Sequence, residues 1–326
     1  MCGQKFAPYS GTTAEQIDGK SEYLDTRKGK NWLAGHSPSI CVVAICCQHG
    51  SSGEPSMADM ISPGSIDGIE LTAKPLLHLG PPSFSSLEEE RLHRKQRLAG
   101  SLRIFGHLGF GEGVAGHITA RDPEYPDHFW VNPFAMSFKR VKVSDLVLVN
   151  HHGEVVFGDR PVNTAAFVLH AAIHAKRPNV IAAAHAHSPY GKAFASLGKH
   201  LDPISQDCCS FYNDHVLIRA DGGKVVLEAE AGQTFAAAFP TGKAAIHQNH
   251  GLFTVGESVD AAVFWFIAME RCCQSQLLAE AAGTPQLIKD EWASYTHRNL
   301  GTSQAGWLGF QSFWEEILHT DPDFLD

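Results

Sequence analysis

Residues 163–194 read NTAAFVLHAAIHAKRPNVIAAAHAHSPYGKAF. The first half is helical in pattern. Asn163 is a capping residue ahead of an Ala, Val, Leu and Ile run, and Arg177-Pro178 ends it because proline disfavours helical geometry in the residue before it. The second half, VIAAAHAH, is too short for a helix and reads as a buried strand. A helix running directly into a buried strand is a unit of a layered α/β fold.

Working outward, SSLEEERLHRKQRLAGSLRIFG begins with a capping box, Ser86 and Glu89, and continues with an apolar helical face of Leu98, Leu102 and Phe105. GFGEGVAGHITARD is glycine-rich and then strand-like, and HFWVNPF is a short aromatic strand. VSDLVLVNHHGEVVFGD reads as a hairpin turning near His152-Gly153, with His151 and His152 as solvated turn residues. DHVLIRADGGKVVLEA reads as two strands around Asp221-Gly222-Gly223. GQTFAAAF is a short helix closed by Pro240-Thr241-Gly242, and AAIHQNHGLFTVG is a strand pair. Ser258 caps a long helix, VDAAVFWFIAMERCCQSQLLAEAA, which Gly283 and Pro285 end. Single helices interleaved with consecutive strands predict an α/β fold with a mixed or antiparallel sheet. Three segments are expected: a poorly ordered Gly/Ser/Pro-rich extension over 1–83, the domain over 84–284, and an aromatic helical tail over 285–326 that packs on the domain or on a neighbouring subunit.

The chain has 326 residues, 44% hydrophobic and 19% charged, as expected of a globular protein. A net charge of −9 gives no basic footprint for nucleic acid. The longest early apolar run, ICVVAICC at 40–47, is too short to span a bilayer, so no membrane partner is expected. Six of eight cysteines fall in adjacent pairs, which close disulfides badly and lack zinc spacing. The expectation is a reduced, cytoplasmic protein.

On a strand His185 and His187 point the same way, with Cα atoms about 6.5–7 Å apart at a rise of roughly 3.3 Å per residue. Two imidazoles so placed can converge on one ion. A bare H-x-H is more often a pair of partly buried histidines bonded to backbone, so a metal reading needs a third ligand. His250, in HQNHGL, is the candidate. Period two gives it a face with Gln248 and sends His247 to the other side, as a structural residue. His170 and His174, one helical turn apart, lack the Glu of HExxH and read as core or interface histidines; only His170, one turn from Ala166, stands where it could approach a metal.

HAHSPYG, then NHG, then a long amphipathic helix resembles the class II aldolase/adducin family. GEGVAGHITARDP, HAAIHAKRPNVIAAAHAH and NHGLFTVGES match its motifs in order, and the resemblance covers about residues 88–284. It implies a three-layer α/β/α fold around a central mixed, largely antiparallel sheet. It also implies a divalent metal held by His185, His187 and His250, zinc before iron(II) or manganese. A homotetramer with sites between subunits follows from it too.

Three departures shape the functional expectation. The aldolase glutamate nineteen residues before the first metal histidine is Ala166 here, as in the adducin head. A methyl group neither coordinates nor moves a proton. The aldolase phosphate grip falls on Gly116-His117, Ala135-Met136 and Thr164-Ala165, which keep few donors. The aldolase catalytic tyrosine falls near Asp207, in a polar stretch with Tyr212, Asp214 and His215 that reads equally well as a turn with capping residues. Asp207, Tyr212 and His215 are the catalytic candidates, and Ser188, Tyr190 and Lys192 stand just past the ligands. The expectation is a metal-dependent lyase acting on a small unphosphorylated carbonyl substrate by retro-aldol cleavage or related carbanion chemistry, such as decarboxylation or epimerisation. The alternatives are an iron(II) oxygenase on the same fold and a non-catalytic, adducin-like oligomeric module.

Overall fold

The computed structural model describes residues 80–326 and two short antiparallel strands, β1 (Ser65–Ile66) and β2 (Ile69–Glu70). The extension expected over 1–83 and the apolar run at 40–47 therefore lie largely outside the described residues. No helix among the described residues is long and apolar enough to cross a membrane.

The core is an eight-stranded sheet in the order β6-β5-β4-β3-β7-β10-β9-β8. Its strands are β3 (His117–Arg121), β4 (Phe129–Val131), β5 (Val147–Val149), β6 (Val155–Phe157), β7 (Ala182–Ala186), β8 (His215–Ile218), β9 (Ala244–His247) and β10 (Gly251–Gly256). Every pairing is antiparallel except β8 with β9. This is the expected mixed, largely antiparallel sheet in a three-layer α/β/α arrangement.

One layer holds α1 (Leu87–His107), α3 (Pro189–Ala195), α6 (Val259–Ala282) and α8 (Ser303–Thr320), whose apolar side chains share a core with Ala182, Ala184 and Ala186. Leu98, Leu102 and Phe105 form the buried stripe of α1, and Ser86 caps it by accepting from Glu89 N at 3.1 Å. The opposite layer holds α2 (Thr164–Lys176) and α5 (Ala229–Ala238), which pack on Ala183, Ala245 and Phe253. Between them β7 is covered on both faces, so its polar alternation vanishes and small residues remain. Two further helices, α4 (Gln206–Cys209) and α7 (Asp290–Leu300), complete the helical set. On α8, Gly306 lies against the Trp265 ring of α6, where a Cβ would come within 2.7 Å; glycine lets the two helices approach. Cys208, Cys209, Cys272 and Cys273 are buried free thiols.

Three local expectations are corrected. DGGKVVLEA does not return as a second strand: β8 takes β9 as its neighbour, and residues 224–227 run without ladder bonds, Val226 buried and Val225 and Leu227 exposed. The strand before His250 ends at His247, and residues 248–250 form a turn, so period two does not reach His250. The helix expected from Gly232 starts earlier, at Ala229. The hairpin with His151 and His152 in its exposed turn is present.

Candidate metal centre and its cavity

His185 lies on the α2/α5 side of β7, and His187 lies just past the strand end. Register does the rest. Phe253 of β10 stands opposite His185, and Leu252 opposite Ala186, which brings the turn before β10 to the end of β7. That turn is fixed by its own backbone. Gln248 N donates to Ile218 O at 2.8 Å, His250 N donates to His247 O at 3.0 Å, and Asn249 takes φ +58°. His185, His187 and His250 thereby present ring nitrogens that all lie within 4.8 Å of one another.

Each ring is held. His185 stacks on Phe253 with centroids 4.0 Å apart, and its Nδ1–H donates to Leu252 O at 2.8 Å, leaving Nε2 bare. The Nε2 atoms of His187 and His250 are 3.1 Å apart. Two nitrogens each about 2.0–2.1 Å from one ion stand roughly 3.0–3.4 Å apart at cis-octahedral to tetrahedral angles. The donor set is neutral as well as close. Burial, with help from neighbouring histidines, lowers the pKa of His185 well below the ordinary value and that of His250 to about 3; burial and Lys192 lower that of His187. The residues present fit a divalent ion.

The turn after His187 is held from behind. Glu270 of α6, 1% exposed, accepts from Ser188 Oγ at 2.5 Å, Tyr190 N at 2.8 Å and Gly191 N at 2.6 Å. Ser188 and Tyr190 are thus structural, and only Lys192 of the expected trio lines the cavity.

The three histidines open onto a cavity of about 570 Å³. Val114, Phe134, Leu169, Val225, Val226 and Leu227 give it apolar walls. Its two lysines are paired, Lys192 with Glu112 at 2.6 Å and Lys224 with Glu228 at 3.5 Å. Among the described residues, no aspartate or glutamate lines it.

His117, considered from sequence only as a relic of a phosphate grip, sits at the cavity floor directly across the ladder from His185. Its Nδ1 is buried without a hydrogen-bond partner among the described residues, and burial followed by the neighbouring histidines keeps the ring neutral. Behind it Thr119 Oγ1 lies 2.8 Å from His170 Nδ1 and 2.9 Å from His174 Nε2, and both rings are buried in the core. The alternation of His117 and Thr119 in HITAR was the available sequence signal for this pair of inward side chains.

Asp207, Tyr212 and His215 do not line the cavity. Asp207 is exposed on α4. The Tyr212 hydroxyl bonds Asp290, which raises its pKa. His215 donates from Nδ1 to Phe211 O at 2.8 Å and accepts from Leu201 N at 3.1 Å.

A protein-family model described as Class II Aldolase and Adducin N-terminal domain matches residues 96–277. The chain is 44% identical over 245 residues to Decarboxylase NovR of Streptomyces niveus, covering 74% of this chain and 90% of that protein. It is 42% identical over 245 residues to 4-hydroxy-3-prenylphenylpyruvate oxygenase/4-hydroxy-3-prenylbenzoate synthase of Streptomyces roseochromogenus subsp. oscitans, covering 74% and 88%. Among solved structures it is similar to L-fuculose 1-phosphate aldolase from Glaciozyma antarctica PI12, at 46% identity and TM-score 0.71, covering 76% of this chain and 97% of that one.

Proposed function

The chain belongs to the class II aldolase and adducin family, and from that premise we propose that it is a divalent-metal-dependent enzyme that breaks the carbon–carbon bond beside a carbonyl in an apolar, unphosphorylated acid. One observation carries this reading: three neutral, convergent imidazoles open onto a cavity whose walls are apolar and whose lysines are already paired. Among the described residues that line the cavity, a phosphate dianion meets only lysines already paired with glutamates, whereas an aryl or alkyl body finds Val114, Phe134 and Leu169. When bound, a divalent ion, zinc in the first instance, supplies Lewis acidity to a carbonyl oxygen. The chain supplies orientation. The neutral His117 ring donates its N–H to a second substrate oxygen, and Val225 and Leu227 cover the apolar end. Similarity to a protein named as a decarboxylase supports loss of a carboxyl group as the reaction.

A second reading, iron(II) with dioxygen, is favoured by a lining that holds no carboxylate among the described residues, because carbanion chemistry needs a proton carrier. The relative named as an oxygenase acting on an arylpyruvate supports it. The open cavity and the complete ligand trio argue against a purely non-catalytic module. The proposal includes a homotetramer, the setting in which Asp207, Tyr212 and His215 act, if a neighbouring copy brings them to the cavity. Light scattering showing a monomer at micromolar concentration removes that part.

The deciding experiment is elemental analysis of the purified protein, followed by phenylpyruvate turnover with zinc or manganese under nitrogen and with iron(II) in air. Stoichiometric metal in the wild type and its loss in His185→Ala are expected. Turnover under nitrogen selects the lyase, and oxygen-dependent turnover with iron selects the oxygenase. Equal trace metal in both proteins overturns the proposal.

A further inference from the structure

His247 ends β9 with its ring buried, 1% exposed. Strand alternation turns it away from the face of His250, yet the two rings lie 5.1 Å apart, because the turn at Asn249 folds His250 back over it. The hydrogen bonds fix where the protons sit. His247 Nε2 is 2.8 Å from Ala220 O. A carbonyl only accepts, so Nε2 carries the hydrogen and Nδ1 of this neutral ring is bare. His250 Nδ1 lies 3.1 Å from that bare Nδ1 and is therefore the donor. The remaining nitrogen of His250, Nε2, is left without hydrogen and faces His187.

We propose that His247 is a positioning residue: it holds His250 in the tautomer that ligates through Nε2 and links the metal centre to the cavity wall. This rests on the metal reading above. A ring that donates its far N–H to an acceptor is both oriented and made more basic at the ligating nitrogen, and removing such a partner typically weakens metal binding about 10–100-fold. The link to the wall is steric. Ala220 opens the turn Asp221-Gly222-Gly223, and Lys224 to Leu227 then line the cavity. Gly222 packs on Gln248 O so closely that a Cβ would stand 2.7 Å away, and Gly223 packs on Asn249. The turn carrying His250 and the turn carrying the wall therefore touch at these glycines as well as through the His247 bond.

The test uses the full chain, with zinc affinity measured by competition against a chromophoric chelator and hydrogen exchange followed over residues 220–227. His247→Phe keeps ring volume and removes both bonds. His247→Gln reaches Ala220 O with its terminal amide but offers no acceptor at the Nδ1 position. His247→Asn places an amide oxygen at that position. The expected order of affinity is wild type, then Asn within a few-fold, then Gln and Phe, both about 10–100-fold weaker. Zinc should slow exchange over 220–227 in the wild type and not in the Phe variant. Affinities within twofold across all four proteins overturn the inference, as does zinc protection of 220–227 that persists in Phe. If Phe fails to fold, the Asn–Gln contrast decides. A wild type that binds no stoichiometric metal instead overturns the proposed function.

Discussion

His187 and His250 face each other Nε2 to Nε2 at 3.1 Å. Two imidazole nitrogens at that distance need either a hydrogen or a cation between them. His187→Ala and His250→Ala should each reduce bound zinc to below a tenth of stoichiometric and leave the circular dichroism of the metal-free protein unchanged. Retention of one zinc per chain by either variant counts against the assigned ligand set.

The pH dependence of metal binding follows from burial. His185, His187 and His250 all have pKa values lowered from 6.5, that of His250 to about 3, so the ligands are already neutral at pH 7. Zinc affinity should be nearly flat from pH 8 to 6.5 and fall only below that, as protons begin to compete. Chelator competition at a series of pH values checks this. A tenfold loss between pH 8 and 7 is the opposite result.

His117 should separate metal binding from substrate binding. His117→Leu removes an imidazole that lines the cavity but none of the three ligands. Zinc content should stay stoichiometric while phenylpyruvate affinity falls roughly ten- to hundredfold, the worth of a hydrogen bond to a charged group. His117→Asn, which keeps a donor, should recover much of the loss. Calorimetry on the zinc-loaded proteins measures both.

Glu270 makes a stability prediction. Its carboxylate satisfies three donors at the start of α3. Glu270→Leu leaves them buried and unpaired and should cost roughly 3 kcal/mol or more of unfolding free energy. Urea denaturation of the metal-free protein reads this directly, and a change under 1 kcal/mol contradicts the role.

Acid should unfold the chain early. Burial holds His170 and His174 neutral, lowering their pKa values to about 3, and holds His117 well below its ordinary value. Folded pKa values below the unfolded 6.5 mean that the unfolded chain binds more protons. The stabilisation is thus complete above about pH 6.5 and is lost as pH falls from there toward 3. The urea midpoint should be constant between pH 7 and 8 and drop steadily from pH 6.5 to 5. A midpoint still unchanged at pH 5 refutes the assignment.

What the sequence revealed follows a physical divide. Signals within one element were legible: the alternation that puts His185 and His187 on one face, the Ser86 cap, and the stripe of Leu98, Leu102 and Phe105. Relationships set by pairing were not. That His117 stands across from His185 depends on the β3–β7 register, which no local pattern encodes. KVVL reads as a strand because strand propensity is present, yet β8 pairs with β9 and leaves it as cavity wall. Period two separates His250 from His247, yet the two meet, because alternation stops where Asn249 adopts a left-handed backbone. In the polar stretch from Asp207 to His215, Ser205 caps α4 and His215 bonds Phe211 O, and Asp207, Tyr212 and His215 do not reach the histidine-lined cavity of their own subunit.

The ligand set straddles β7 and the turn before β10, strands that are neighbours in the sheet but far apart in the chain. During synthesis His185 and His187 emerge well before His250, and a pair of imidazoles alone grips an ion weakly. On the proposed metal reading, tight capture would await the folding of the intervening helices and strands and the seating of β10 beside β7. Metal uptake would then serve as a clock for assembly, registering the moment the two halves of the sheet join.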